Sequence, residues 1–528
     1  QTDRQTDRQT DRQTDRQTDR QTDRQTIIWL IGFAILTGVC VYFSLMSNNL
    51  VNNLDGIWHP SHFIAGNWEI SLGRGLQRYA DRARFGLVTS AWNSILVFGL
   101  IGAADSLIIM RFKLQHTLFS YLFIFASIAN PVVCESLTYS YTSVNFGLAY
   151  CFSVMAFALL PHIGETGKKE IFRCMVSAMA FGVSMAFYQA YICVYAVLCI
   201  YFILRMLKSG NTLLEVVKKG IQCAAVFFFG GMFYYLITRL LLWRAGVELA
   251  AYRGANSIGI IQMMKNLPKG MVTSYKETLN YIFVERLEAG MEFSNIVMIL
   301  TGVIFLVFTV ISLADLYKQN KKYMLISALL VIALPSASAV VCLIAVGNSI
   351  SGLMAMGILM SVLLFYTFVD HKKFMRVIMN CTLIIIAWYL VSAVENDQIA
   401  LREGMKATER ITEDILTEIA SDDLLENVDC VAFVGRAAEN PLFYKSTSYE
   451  MANGYAQFGR WSTDARNNRV TWTGITRILC GTSLPFCGDE AYLKIIQSEQ
   501  LKEMPIYPHC GYMKIIDRVL VIKVSDLY

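Results

Sequence analysis

The 528-residue chain is 55% hydrophobic and 16% charged, with a mean hydropathy of +0.44. Soluble domains carry roughly 25% charged residues, so the composition excludes an ordinary soluble protein and points to a polytopic membrane protein. The formal net charge of +5 is small and argues against a nucleic-acid partner.

Residues 1–26 repeat Gln-Thr-Asp-Arg and hold no apolar side chain, so a disordered tail is expected. Tandem CAGA, read as CAG-ACA-GAC-AGA, encodes this unit, and the tail is read as a translated tetranucleotide tract. Gain or loss of one unit would shift the frame and switch the gene off, a route to phase variation. The tail lacks a compact basic region and a cleavage site and is not read as a signal peptide.

The first hydrophobic window, 27–46, leads into a loop from Asn49 to Arg84 that concentrates polar chemistry. It holds Asp55-Gly56-Ile57-Trp58, Trp68-Glu69 and Gly73-Arg74, then Arg78, Asp81, Arg82 and Arg84. Carboxylates act as bases, arginine forks grip phosphate, and tryptophans sit at headgroup level or stack on sugar faces.

Further windows long enough to span a bilayer run over about 86–110, 117–133, 141–161, 221–242, 294–314, 323–345, 350–369 and 374–394. Residues 172–205 are too long for one straight span and divide into two short helices turning near Tyr188-Gln189-Ala190-Tyr191. That gives eleven spans. Basic residues then fall on one side throughout: Arg111 and Lys113; Lys168, Lys169 and Arg173; Arg205, Lys208, Lys218 and Lys219; Lys318, Lys321 and Lys322; Lys372, Lys373 and Arg376. By the positive-inside rule this side is cytoplasmic, with the N-terminus. The opposite loops near Glu135, Gln189 and Gly347 lack Lys and Arg. Three larger pieces lie outside: the first loop, a loop from Trp243 to Phe293, and everything from Glu395. Asp105, in or near the end of a span, is expected to be neutralised by Arg111, since a charge at a helix centre costs about 2.5–3.5 kcal/mol on insertion scales.

Composition changes at Glu395. Residues 397–420 read as an amphipathic helix with Ile411, Ile415 and Ile419 on one face. A buried strand is expected over Asp429–Gly435, loop over 440–485, a helix over Glu490–Gln500, and a strand pair around Asp517-Arg518. The expected fold is an all-α polytopic membrane protein with a small C-terminal extracytoplasmic α/β domain, divided as tail 1–26, transmembrane domain 27–394 and outer domain 395–528. The 13 cysteines lie mostly in apolar segments. Cys480 and Cys487 are candidates for a disulfide if their compartment is oxidising. No Cys/His spacing and no Asp-x-Asp pair indicates a metal, and no cofactor is implied.

The first loop read with later spans resembles the GtrII-type bacterial glucosyltransferases, which are polytopic and GT-C-like. The matching residues are Asp55-Gly56-x-Trp58, Trp68-Glu69-x-Ser71-Leu72-Gly73-Arg74, Asn130-Pro131 with Glu135 and Tyr139, Tyr188-Gln189, and Met504-Pro505-x-Tyr507-Pro508 with Gly511. The resemblance covers about residues 27–528. Gly75, where such sequences often carry Trp, and Tyr512, where a small polar residue is common, depart from it. The resemblance implies transfer of a sugar, typically glucose, from a polyprenyl-phosphate donor. The acceptor it implies is a cell-surface glycan such as O-antigen or a wall polymer, reached on the outer face of the bacterial cytoplasmic membrane.

On this reading Asp55 is the general base, with Glu135 and Glu69 as alternatives, and direct displacement inverts the anomeric carbon. Arg74, then Arg78, are the candidates for the donor phosphate. Trp58, Trp68, Tyr188 and Gln189 are the candidates for the sugar. The bland readings are a loop aspartate, an Arg74 paired with Glu69 or Asp81, and Arg78, Arg82 and Arg84 meeting lipid headgroups. A transporter or flippase for a lipid-linked sugar is the alternative function. It predicts internal repeats and mid-span polar sites, and neither is seen. A glycan sensor leaves the many spans unexplained.

Overall fold

The computed structural model describes residues 23–528 except Leu54, Pro60, 252–259, 285–291, 345–348, 370–371, 422–423, Asn427 and Thr463. Residues 1–22 of the repeat tail therefore lie outside the described residues. Its last residues do not: the first membrane-length helix begins at Asp23 and runs to Val41, so Asp23–Thr26 extend a helix.

Among the described residues nine helices are long and apolar enough to cross a membrane. Two shorter apolar helices, Ser143–Ala158 and Met356–Val369, occupy two further windows. The run 172–205 is two helices, Lys168–Phe187 and Ile192–Lys208. Between them Tyr188 is extended (φ −159°, ψ 113°), and the carbonyl of Tyr191 accepts from Ser153 Oγ at 2.8 Å.

The basic loops meet at one end of the bundle. Arg111 donates to the carbonyls of Leu160 and Pro161 (3.0 and 2.9 Å), and Lys219 also donates to Pro161 (2.6 Å). Lys218 pairs with Glu170 at 2.9 Å, Lys208 donates to Ser312 at 2.9 Å, and Lys372 pairs with Asp315 at 2.5 Å. Asp105 is not neutralised by Arg111. It is fully buried and accepts from Ser127 Oγ and from Tyr150 Oη, the latter at 2.6 Å. Arg111 lies six positions after Asp105, about 9 Å along the helix axis, and its guanidinium is already committed to the carbonyls just after the helix Ser143–Ala158.

Two pieces read as loop contain helix. Ile260–Leu279 lies inside the long loop after Trp243. Ala465–Ile478 lies inside 440–485, capped by the Asp464 side chain on Asn467 N. Its buried face is Asn468, Thr471, Trp472, Ile475 and Thr476, so polar residues on the inner side hid the amphipathic pattern. The last span and the amphipathic helix are one helix of 49 residues, Lys373–Ser421. No proline interrupts it, and Ile411, Ile415 and Ile419 are buried as their spacing required.

Beyond it lies a three-stranded sheet. Strand β1 (Cys430–Val434) runs parallel to β3 (Val519–Lys523), and β2 (Met513–Ile516) runs antiparallel to β3, in the order β1-β3-β2. Asp517 and Arg518 both have positive φ, as a two-residue hairpin turn demands. The disulfide joins Cys430 to Cys487, not Cys480 to Cys487. Residues 485–487 run beside β1, with Val431 N donating to the Pro485 carbonyl and Cys487 N to that of Val431, which brings the two Cα atoms to 5.1 Å. Cys480 follows the Ala465 helix and is free. Differential alkylation with peptide mass mapping is expected to find Cys430 and Cys487 linked and Cys480 reactive after unfolding; a peptide linked through Cys480 would contradict the pairing.

Candidate active site

The loop after the first helix is fixed by two adjacent asparagines. Asn52 turns toward the membrane helices: its Nδ2 donates to Thr138 Oγ1 at 3.3 Å, its N to the Thr138 carbonyl, and its Oδ1 accepts from Gly56 N at 3.1 Å. Asn53 turns toward the C-terminal segment: its Nδ2 donates to the Gln457 carbonyl at 2.8 Å and its Oδ1 accepts from Gly459 N at 2.6 Å. The short helix Asp55–Trp58 follows. A Cβ at Gly56 would lie 2.6 Å from the Thr138 carbonyl, and one at Gly474 would lie 2.6 Å from the Ile57 carbonyl. Both glycines are thus required by close backbone approach, and the Asp55 helix is gripped from both sides.

Asp55 is half-buried. Burial raises its carboxyl above the usual carboxylate range; the positive charge of Arg74 opposes this and the negative charge of Glu69 adds to it. Tyr141 is close enough that the Asp55 charge, after burial, raises its phenol too. His59, lowered by burial, stacks near Phe63 and Tyr141 with ring centroids at 4.3 and 4.6 Å. On the Asp55 helix, Trp58 Nε1 is buried with no hydrogen-bond partner among the described residues. Buried donors are normally paired, so this one is available to a ligand.

Arg74 is delivered by a turn that Gln189 locks. Gln189 Nε2 donates to the Leu72 carbonyl at 2.7 Å and to Tyr234 Oη at 2.9 Å, and its Oε1 accepts from Arg74 Nε at 3.4 Å. The Arg74 guanidinium lies 4.8 Å from the centre of the Tyr188 ring. Gly73 has φ +76°, the left-handed region that glycine enters without strain. Arg74 forms no ion pair among the described residues. Gln189 stands where two segments meet, Lys168–Phe187 and Gln189–Lys208, whose other ends carry Lys168 and Lys208; each spans 20 residues, about 30 Å if helical throughout, from the basic end.

The remaining first-loop residues are structural or peripheral. Glu69 Oε2 accepts from Gly66 N at 2.6 Å and closes the start of the helix Asn67–Ser71; it meets Arg74 through its carbonyl, which accepts Arg74 N. Arg78 braces the loop by donating to the Ala65 carbonyl (2.8 Å) and Asn67 Oδ1 (3.0 Å). Trp68 is 57% exposed. Arg84 does not face headgroups: it pairs with fully buried Asp81 at 2.7 Å and donates to Asn93 Oδ1 and the Tyr141 carbonyl. Asp81 also accepts from Ala65 N and Asn145 Nδ2.

Glu135 opens elsewhere. It is 8% exposed and lines a cavity of about 140 Å³ with Pro131, Tyr281, Gly352, Asn453, Gly454 and Tyr455. Asp55 and Arg74 do not line it. The link between the two places is Thr138, whose hydroxyl donates to the Glu135 carbonyl and whose own oxygens hold Asn52. Tyr141, Tyr234 and the Asn453–Tyr455 segment were not singled out by the sequence; the Tyr141 and Tyr234 signals are lone aromatics among many.

Asp55→Asn removes a half-buried charge without changing shape. Because the folded state holds the Asp55 proton more tightly than the unfolded chain, wild type loses stability relative to the variant as pH rises above the ordinary aspartate range. Thermal unfolding is therefore expected to favour Asp55→Asn at neutral pH, with the gap closing near pH 4. A variant less stable than wild type at pH 7 would show that the carboxylate holds the loop.

The model of one family, Glucosyl transferase GtrII, matches residues 60–365. The match includes Glu69, Arg74, Arg78, Glu135, Tyr188 and Gln189 and starts after Asp55. No curated protein and no solved structure matches the chain. A match over more than half of the sequence, on a bundle of apolar helices with an acid and an arginine at one end, places the chain in the GtrII glucosyl transferase family.

Proposed function

We propose that the protein transfers glucose from a polyprenyl-phosphate donor to a cell-surface glycan, such as O-antigen or a wall polymer, on the outer face of the bacterial cytoplasmic membrane. The observation that carries this reading is Arg74, held at the Tyr188-Gln189 turn about one helix length from the basic loops and close enough to Asp55 for its charge to act on it. The positive-inside rule assigns those loops to the cytoplasm, which leaves the site outside. The Cys430–Cys487 disulfide supports an oxidising compartment for the C-terminal segment.

In this mechanism the Asp55 carboxylate takes the proton of an acceptor hydroxyl as its oxygen bonds to the anomeric carbon. The bond from that carbon to the phosphate oxygen breaks, and polyprenyl phosphate leaves with the electron pair, inverting the centre. Arg74 offers the fork that holds two phosphate oxygens. Tyr188 sets its plane, and Gln189 sets the turn that carries it. Trp58 Nε1 supplies a donor to a sugar or phosphate oxygen. A carboxyl raised by burial is a stronger base than a solvated one. The tail is assigned to phase variation through its DNA tract; an invariant repeat number among sister colonies would end that assignment.

Purified protein with polyprenyl-phosphate glucose and host glycan tests the chemistry. Asp55→Asn is expected to cut transfer by about 10²–10⁴ with donor binding near normal. Full turnover in Asp55→Asn with loss in Glu135→Gln would move the base to Glu135. Glu69→Gln removes a negative charge, so the acid limb of kcat/KM is expected to move to lower pH; a shift to higher pH would contradict the coupling of Glu69 to Asp55. Arg74→Lys keeps charge but loses the fork and is expected to raise donor KM.

Orientation is tested separately. Reporter fusions after Lys113, Lys169, Lys219, Lys321 and Lys373 are expected to report cytoplasm, and fusions after Gly66 and Tyr528 the outside. A cytoplasmic Tyr528 would remove the C-terminal segment from outer-face chemistry.

A further inference from the structure

A run of packed rings joins the Asp55 helix to Arg74. His59 follows directly on that helix, and its ring centroid lies 4.6 Å from that of Tyr141, with Phe63 against both at 4.3 and 4.7 Å. From Tyr141 the run continues to Tyr139 at 6.5 Å, from Tyr139 edge-on to Phe146 at 6.2 Å, and from Phe146 to Tyr188 at 4.9 Å. Tyr188 carries the ring that the Arg74 guanidinium faces. Aromatic pairs at these separations attract one another, so the run is a fixed connection between the two ends. The backbone beneath it is fixed as well. Fully buried Asp81 pairs with Arg84, Arg84 Nη2 donates to the Tyr141 carbonyl at 3.2 Å, and Asn93 Nδ2 donates to the Ser140 carbonyl at 2.9 Å. The buried ion pair of the first loop thus sets the position of Tyr141.

The Tyr141 hydroxyl takes no part in this bracing. The side chain is half-buried, its ring packs and its carbonyl is bonded, but among the described residues Oη has no hydrogen-bond partner. Burial raises the phenol above its usual range, the charges of Asp55, Tyr139 and Glu69 add to this, and that of Arg74 opposes it. The phenol therefore lies within electrostatic reach of the carboxylate at one end of the run and the guanidinium at the other.

Inversion needs the acceptor oxygen and the departing phosphate oxygen on opposite sides of the anomeric carbon, so the transferred sugar lies between the base and the phosphate ligand. A pyranose has apolar C–H faces and a rim of hydroxyls. Tyrosine matches it with an apolar ring and a polar tip, and its hydroxyl both donates and accepts. We infer that Tyr141 contacts the transferred sugar: the glucosyl residue of the donor rests against the Tyr141 side chain and hydrogen-bonds to its hydroxyl. The inference rests on the glucosyl-transfer reading. It separates two tasks in donor recognition. Arg74 holds the phosphate of any polyprenyl phosphate, and Tyr141 distinguishes the glucosylated lipid from the bare one.

Tyr141→Phe gives the test, because it keeps the ring and removes the hydroxyl. No hydrogen bond among the described residues is lost, so the unfolding temperature is expected to be unaltered; early unfolding would assign the hydroxyl to the fold and overturn the contact. Full-length wild type, Tyr141→Phe and Arg74→Lys in lipid nanodiscs are each titrated with polyprenyl-phosphate glucose and with polyprenyl phosphate, and assayed for transfer. Tyr141→Phe is expected to weaken binding of the glucosylated lipid by about three- to tenfold, the loss of one neutral hydrogen bond, and to leave the bare lipid unaffected. Donor KM is expected to rise by the same factor with acceptor KM fixed. Arg74→Lys is expected to weaken both lipids. Equal affinity of wild type for the two lipids, equal weakening of both by Tyr141→Phe, or unchanged binding of both overturns the contact. A loss confined to the glucosylated lipid, in a protein showing no glucose transfer, overturns the transfer reading and leaves the sugar contact standing.

Discussion

The structure depends on the hold that Asn52 and Asn53 take on two different bodies of the protein. One side chain is spent on the end of a membrane helix at Thr138 and the other on the turn at Gln457–Gly459. Side chains of successive residues in extended chain point to opposite sides, so two neighbouring amides join what lies to either side. Each amide has both a donor and an acceptor in use, and losing either would leave a buried polar group unpaired at a cost of about 1–3 kcal/mol. Asp55 follows at once and inherits its position from this clamp. The carboxylate is therefore held by backbone geometry at its base, and among the described residues no ion pair holds its tip.

The same economy of charge runs through the bundle. Cations at one end are consumed by carbonyls and by Glu165, Glu170 and Asp315. Asp81 and Arg84 neutralise each other inside the first loop, and Asp105 is satisfied by two hydroxyls. Within this pattern Arg74 has no ionic partner among the described residues and is backed by an aromatic face. An arginine held in place without a carboxylate keeps its fork available for a ligand.

Much of this was legible in the sequence, and the limits have physical causes. The hydrophobic windows marked the helices because twenty apolar residues are hard to disguise. The division of 172–205 followed from length alone, and Tyr188-Gln189 did fall at the break. Arg74, Tyr188 and Gln189 were all singled out and the fold sets Arg74 against the other two, with Asp55 near enough to feel its charge. What pattern cannot supply is direction. Nothing in the loop says that Arg78 and Arg84 turn inward to carbonyls, or that Glu135 faces a wall built from residue 453 onward. The disulfide was misassigned because spacing favoured the nearer cysteine, whereas pairing of the 485–487 segment with β1 selected the farther one. The Ala465 helix was missed because its buried face carries Thr and Asn where a period of apolar residues would be sought.

The helix Lys373–Ser421 has a mechanical consequence. Its 49 residues extend about 74 Å, against a hydrocarbon core of about 30 Å. Asp397, whose carboxylate accepts from Asn453 N at 2.9 Å, stands 24 residues from the first, about 36 Å along, close to where such a rod leaves the hydrocarbon. The rod thus works as a ruler with the bilayer at one end: it sets the height and the azimuth at which the Asn453 turn is presented. One inserted residue upstream of Asp397 would raise that point by about 1.5 Å and swing it by about 100°, carrying the carboxylate off the turn it holds. The spacing between the membrane and Asp397 is therefore counted in whole residues, and drift in the length of this helix is forbidden even where its individual side chains are free to change.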